Sequence, residues 1–352
     1  MKKKQLLALS AAAAAVLLTV FSEDAAKASL QATERCINMI VPSLFAFMAI
    51  SELICRCSLH EVISKPFDRL AGFLFGMPKG LFSVFLISNT AGYPVGINML
   101  KEMVRSRRLS KPSAEAAAVY CYAGGPAYAV GVIGAGVYGC KRVGAIIFLS
   151  VLLTNLIFAT IINKVTDISA AETDHDVSFD AYSLSESVTS AGSSVLKMCA
   201  VIIFFSALSS ALRIDALIEL LREKAVLTHS WSVLIRSIIE ISNITGLHSS
   251  AYGAVPFAAA AVGFGGICVQ LQLLAVLDGA FSLKLFYKLL PLRLLLNYGI
   301  CRLMCRFFLA DNLPAMASGD EIIVEIDNFV PSICLIMMIF ILVFKKNWLF
   351  LK

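Results

Sequence analysis

The chain has 352 residues, 59% of them apolar and only 15% charged, with a mean hydropathy of +0.82 and a formal net charge of +6. Soluble domains run at about 45–50% apolar and about 25% charged, so this composition excludes an ordinary soluble protein and indicates an integral membrane one. The modest positive balance reads as loop charge on the cytoplasmic side, and the absence of a basic patch with interleaved aromatics argues against nucleic acid as a partner.

Residues 1–30 open with Lys2-Lys3-Lys4, an apolar run Gln5–Phe21 and the small-residue triplet Ala26-Lys27-Ala28. That outline fits a secretory signal or a retained signal-anchor. With so much more membrane-embedded chain behind it, an uncleaved first transmembrane helix is the favoured expectation, its lysines in the cytoplasm. Residues 31–163 form a first membrane half. A span is expected over 33–58, then a basic loop carrying Arg56, Lys65 and Arg69, then the segment Leu70–Met103 and a second basic loop at Arg105–Lys111. Two basic loops flanking one segment place both its ends on the cytoplasmic side, which favours a re-entrant hairpin. Ala114–Gly139 is rich in Ala and Gly, which let helices approach closely in lipid. Val143–Ile162 is a clean span.

Residues 164–190 are an acidic polar linker, read as a solvated loop. Residues 191–310 form a second half: a span at Ala191–Leu212, an amphipathic connector at Arg213–Lys224, the apolar stretch Tyr252–Leu277 and a span at Leu283–Ala310 carrying Arg293, Arg302 and Arg306. Residues 311–352 add an acidic loop and a last short span. About eight to ten membrane segments result, re-entrant ones included. The expected fold is all-α: a polytopic transmembrane helical bundle of two related halves with broken or re-entrant helices.

The centre of the first half is Ile87-Ser88-Asn89-Thr90-Ala91-Gly92-Tyr93-Pro94-Val95-Gly96. Pro94 lacks an N–H and clashes with the preceding turn, and Gly92 and Gly96 loosen what remains. Broken backbone at membrane depth survives only if buried in protein or lining a watery cavity. The same words return 154 positions later as Ile241-Ser242-Asn243-Ile244-Thr245-Gly246. That shift also lays Val41–Ile54 on Val195–Leu208. Further on, the Ala-rich run ending in Gly124-Gly125-Pro126 resembles the one ending in Gly265-Gly266, displaced by 141 positions. Paired interruptions in corresponding places of two halves are the best sequence pointer to a transporter site. The halves are parallel or inverted according to whether Lys141-Arg142 lies inside or outside; inverted repeats are common in transporters, which tilts the expectation that way.

Pro42-Ser43-Leu44-Phe45 with Ser51-Glu52-Leu53, the Gly-Tyr-Pro-Val-Gly of residues 92–96, and Phe264-Gly265-Gly266-Ile267 with Gln270 resemble the YlbJ-type sporulation integral membrane proteins of the nucleoside-recognition (Gate-domain) families. The resemblance runs from about Met1 to Ala310. It implies a spore-forming bacterium, a multi-pass protein of the inner cell or forespore membrane, and a part in making the spore, with a molecular activity related to nucleoside transport. Two departures bear on the ligand. Ala123-Gly124-Gly125-Pro126 stands where the family more often has an Asn-rich stretch ending in Pro, and Ser242-Asn243 after Glu240 replaces acidic-then-Thr/Asn variants.

Candidate solute-binding residues are Ser88, Asn89, Thr90, Gly92 and Tyr93 from the first motif, Glu240, Ser242, Asn243 and Thr245 from the second, and Gln270. Pro94, Gly96, Gly124, Gly125, Pro126, Gly246, Gly265 and Gly266 are the helix breaks. The hydroxyl and amide groups either bind solute or cap the broken helices; both roles can coexist. Glu240 is a functional carboxylate if it lies at membrane depth and an ordinary loop residue if it does not. Glu52 is expected to pair with Arg56 one turn on. Gln270 and Gln272 face different sides of a helix, one of them bonding across helices. Asn98 and Asn155 are weaker candidates. The ten cysteines lack paired metal spacing and the four histidines do not cluster. No His-Glu-x-x-His, Gly-x-Ser-x-Gly or P-loop occurs, so neither catalytic residues nor a cofactor or metal is expected. The expected function is transport of a small polar solute, nucleoside-like among the candidates, coupled to H⁺ or Na⁺ in a lipid bilayer, with homo-oligomerisation left open. The alternative is a membrane protein that serves spore envelope or cortex assembly without transport.

Overall fold

A computed structural model describes residues 2–57, 59–166, 168, 181–223, 229–247 and 252–309. The greater part of the acidic linker and the whole of 311–352, with the short span expected there, lie outside the described residues. Every described element is helical: α1 (Lys2–Val20), α2 (Ser22–Arg35), α3 (Val41–Arg56), α4 (Leu59–Ser64), α5 (Asp68–Phe75), α6 (Leu81–Ala91), α7 (Val95–Arg105), α8 (Lys111–Ala118), α9 (Lys141–Val165), α10 (Ala181–Ala211), α11 (Ile214–Glu223), α12 (His229–Ile239), α13 (Val255–Phe264), α14 (Gly266–Leu277) and α15 (Lys284–Phe308). A π-helical turn at Cys36–Ile40 joins α2 to α3, and a wide π-helical segment, Ala127–Val137, follows the first Gly-Gly break.

Among the described residues three stretches are long and apolar enough to cross a membrane: α9, α10 and Val255–Leu277. The protein is therefore helical and membrane-embedded. The third stretch is not straight, because Gly265 and Gly266 both adopt positive φ and divide it into α13 and α14. The expected span at 283–310 is a continuous 25-residue helix, but it carries Lys284, Lys288, Arg293, Arg302 and Arg306. The expected first span is α1, whose C-terminal half, Ala11–Val20, is a shorter apolar helix. Phe21 to Ala25 continue its hydrogen bonding, so α1 runs straight into the polar helix α2.

Helix α10 packs along α2 and α3, and α9 along α15 and the π-helical segment. Helices α6 and α7 pack on each other as a hairpin whose tip is Gly92-Tyr93-Pro94, with a cis Tyr93–Pro94 bond. The interior is built from small and medium side chains. Ala114, Ala116, Ala117, Ala118, Ala258 and Ala259 are all buried, and this allows the backbones to come close.

The expected Glu52–Arg56 pair does not form. Arg56 instead pairs with Glu186 on α10 at 2.6 Å and stands 3.8 Å from Glu102 on α7. Glu52 turns into the junction of α3 and α7, where Asn98 Nδ2 donates to it at 2.9 Å. Helical spacing permitted the intrahelical pair, but Arg56 lies at the helix end, within reach of two other carboxylates, while Glu52 is fully buried.

Helix α4 is fixed to α6 by the Ser83 hydroxyl, which donates to the His60 carbonyl, and by the Ser83 N–H, which donates to Ser64 Oγ at 2.8 Å. The His60 ring is buried beneath Gly80. Burial, and after it the Arg108 guanidinium, push this imidazole down from its ordinary 6.5 to about 4. As pH falls the unfolded chain takes up the proton first, so stability present above pH 6.5 is lost progressively towards pH 4. The shift corresponds to about 3 kcal/mol. Thermal melts of the protein in lipid nanodiscs should show a melting temperature that rises across this window, and His60→Gln should flatten the rise.

Candidate functional site

The first half breaks twice. Helix α6 ends at Ala91, and α8 ends at Ala118, leaving 119–126 as irregular backbone whose residues up to Gly125 are buried. Buried carbonyls there need donors from elsewhere in the protein. Arg293 on α15 supplies two of them, to the carbonyls of Val119 and of Tyr122, the latter at 3.3 Å. Asn155 on α9 donates to the Tyr122 carbonyl at 2.9 Å, and Asn89 reaches the Tyr120 carbonyl at 3.4 Å. The carbonyl of Cys121 lies directly over Gly96, where a Cβ would collide with it and with Ser88. Gly92 and Gly125 likewise touch backbone to backbone.

Arg293 is only 1% exposed. Besides the two carbonyls it donates to Asn155 Oδ1 at 2.7 Å, and Asn155 in turn donates to Asn89 Oδ1 at 2.7 Å. The faces of Tyr122, Phe158 and Phe286 surround the guanidinium at 5.4–5.7 Å. A cation in such a place is costly unless its donors are filled, and these rings and oxygens are what make it tolerable. No carboxylate is among these partners. The unwound backbone and its carbonyl dipoles take the part of the counter-charge.

The second half is held by tyrosines of the first. The Tyr93 hydroxyl donates to the Val262 carbonyl, the Tyr122 hydroxyl to the Phe264 carbonyl at 2.5 Å, and the Tyr128 hydroxyl to the Ile241 carbonyl at 2.8 Å. Gln270 donates to the Tyr122 oxygen at 3.0 Å and to the Phe264 carbonyl at 2.6 Å. The rings of Tyr93 and Tyr122 lie 4.7 Å apart. A Cβ on Gly266 would meet the N–H of Ile241 and the carbonyls of Ile239 and Ser237. All four interruptions, at 92–94, 119–126, 239–241 and 264–266, therefore meet in one place.

The predicted site residues divide into two groups. Ser88, Asn89, Gly92, Tyr93 and Gln270 belong to this buried network. Glu240 and Asn243 instead line a separate polar cavity of about 810 Å³ between α2, α10 and α12. There Arg35 pairs with Glu240 at 2.9 Å, Ser242 donates to Glu240 at 2.7 Å, and the Asn243 amide donates to the Arg236 carbonyl at 3.1 Å. Asp24, Lys27, Glu34 and Arg236 complete a mixed-charge lining. The two asparagines of the sequence echo thus have different surroundings: Asn89 is buried and Asn243 exposed. Ser88, Thr90 and Thr245 donate their hydroxyls to carbonyls three or four residues back, which is bonding within their own helix or turn and not a cap on its end. Gly246 ends a short 3₁₀ turn, Ile241–Gly246, and Pro126 stands at the head of the π-helical segment. Gln272 bonds only within its own helix, to Cys268, while its neighbour Gln270 reaches across.

Sequence reasoning passed over Arg293, Tyr122, Tyr128 and Arg35, and ranked Asn155 low. The available signal was the placing of Tyr93, Tyr122 and Tyr128 within or beside the breaks, since buried tyrosine needs a partner for its hydroxyl. Among the described residues no group of His, Cys, Asp and Glu could hold a metal. No family model, curated protein or solved structure matches this chain.

Gly96→Ala should be among the most damaging small substitutions. A methyl there must displace the Cys121 carbonyl and Ser88 together, and overpacking of this kind costs about 1–3 kcal/mol. The melting temperature should drop clearly, whereas Gly131→Ala, where a Cβ meets open space, should leave it unchanged.

Proposed function

We propose that the protein is a transporter or permease-like membrane protein for a small polar solute of nucleoside-like character, acting in the envelope of a spore-forming bacterium as its resemblance implies. The observation that carries the reading is the meeting of four helix interruptions at one buried polar junction beside a polar cavity. A scaffold has no need to keep irregular backbone in its apolar interior, because a continuous helix satisfies itself. In a transporter the same irregularity lets two helical bodies rock about a shared site.

The order of elements supports two related halves. Helix α3 and the α6 break, then α8, a Gly-Gly break and the 25-residue helix α9, correspond to α10 and the α12 break, then α13, a Gly-Gly break and the 25-residue helix α15. The solute site is assigned to the 810 Å³ cavity, where Glu240, Asn243, Arg35 and Arg236 offer donors and acceptors suited to hydroxyls and ring amides. The buried network of Asn89, Asn155, Arg293 and Tyr122 does not line this cavity; Tyr128, donating to the Ile241 carbonyl, ties the first half to the turn at its rim.

Binding of radiolabelled nucleosides to the full chain in lipid nanodiscs tests this. Saturable binding is expected, weakened at least tenfold, or about 1.4 kcal/mol, by Glu240→Gln or Asn243→Ala while the melting temperature holds. Absence of saturable binding by the folded wild type, or binding unmoved by both substitutions, would overturn the assignment.

A further inference from the structure

A second buried polar cluster lies away from this junction, where α3, α7 and α10 meet. Its members are Glu52 on α3, Asn98, Lys101 and Glu102 on α7, and Ser190 and Ser194 on α10. Glu52 and Asn98 are 0% exposed and Lys101 3%. The charges are unequally shared. Glu102 collects the cations: Lys101 at 3.6 Å, Arg105 at 3.5 Å and Arg56 at 3.8 Å. Arg56 also holds Glu186, and Arg108 spends its donors on the carbonyls of Cys55 and Arg56. His60, on α4, faces α6 through Gly80 and Ser83. Helix α6 brings no titratable side chain to the cluster.

Glu52 is left with the Asn98 amide on Oε1, with Ser190 beside the carboxyl, and with an Oε2 that is buried and has no hydrogen-bond partner among the described residues. A fully buried ionised carboxylate with only two neutral donors, Asn98 and Ser190, and one oxygen without a partner would have lost most of its hydration without replacement, a cost of several kcal/mol. A carboxylic acid at the same position has only one proton to place. We propose that Glu52 is a proton-binding site: its Oε2 carries a proton at neutral pH, and loss of that proton leaves a carboxylate facing Lys101. Polar contacts tie the Glu52 carboxyl to the charges at the surface and fix its setting, although the Asn98 amide itself relays no proton. Asn98 Oδ1 accepts from Ser194 at 3.5 Å, Ser194 accepts from Lys101 at 3.5 Å, and Lys101 leads to Glu102 and the half-exposed Arg105. A lone buried carboxyl binds H⁺ without the ring of further oxygen ligands that a metal cation needs, and among the described residues no group of His, Cys, Asp and Glu could hold a metal, so the ion assigned to this place is H⁺. Because α3 and α10 come from the two proposed halves, protonation there would bias their packing. The inference deepens the transport reading by naming the site of its coupling ion.

The test is difference infrared spectroscopy of the full chain in nanodiscs, which reads protonation whether or not any solute is carried. A carboxylic-acid C=O band is expected at neutral pH. It should shift in ²H₂O, vanish in Glu52→Gln, and give way to carboxylate bands only at alkaline pH. Glu52→Gln keeps the shape of the protonated acid and should melt like the wild type. If that variant does not fold, Glu52→Asp should move the band, and ¹³C-carboxyl labelling of the wild type supplies the same reading without substitution. A wild type with no protonated carboxyl at neutral pH, or a band that survives in Glu52→Gln, would overturn the proposal. Nucleoside binding that fails while this band titrates as expected would count against the transport reading alone.

Discussion

The rest of the architecture depends on how unwound backbone is satisfied where no water reaches. Residues 119–126 expose several carbonyls to the interior, and each must find a donor. Arg293 answers for two of them, at Val119 and Tyr122, with Asn155 and Asn89 completing the set. A guanidinium suits this task because its planar fork spans neighbouring oxygens and its faces stack on aromatic rings. Helix α15 is thereby tied to the end of α8 and to α9. The price is a buried cation, and it is met by dipoles and rings instead of a carboxylate.

The reciprocal half of the arrangement joins the two ends of the chain. Tyrosines 93, 122 and 128, all from the first half, satisfy carbonyls at Val262, Phe264 and Ile241 in the second. Each bond is directional and weak beside a packed apolar interface. A junction closed by a few hydroxyl-to-carbonyl contacts can be repartnered at modest cost, as the proposed transport reading requires. The adjoining cavity has a polar, charged lining with Arg35 and Glu240 paired in it, in contrast to the alanine-lined core around α8 and α13.

The positions of the breaks were legible in the sequence because Gly and Pro act locally. Gly92-Tyr93-Pro94, Gly124-Gly125-Pro126 and Gly265-Gly266 all interrupt helices as their chemistry requires. What satisfies the breaks was not legible, because the donors come from far along the chain. Arg293 stands 171 residues from Tyr122, and in sequence it looks like one of several basic residues on a long apolar helix. The echo of Asn89 in Asn243 suggested like surroundings. But α6 turns back into the core at its tip, while the 241–246 turn sits at the rim of a cavity. Glu52 and Arg56 had ideal spacing for a pair, yet Glu186, 130 residues from Arg56, took the arginine. Local rules place the interruptions; tertiary competition decides their partners.

The most direct measurement is hydrogen–deuterium exchange of the full chain in nanodiscs, comparing wild type with Arg293→Met. If Arg293 holds one junction shared by both halves, exchange should rise together in the peptides covering 119–126 and 262–266, which are linked through Tyr122 and Phe264, while α10 stays protected. Exchange that rises in only one of these segments, or in neither, would contradict the account.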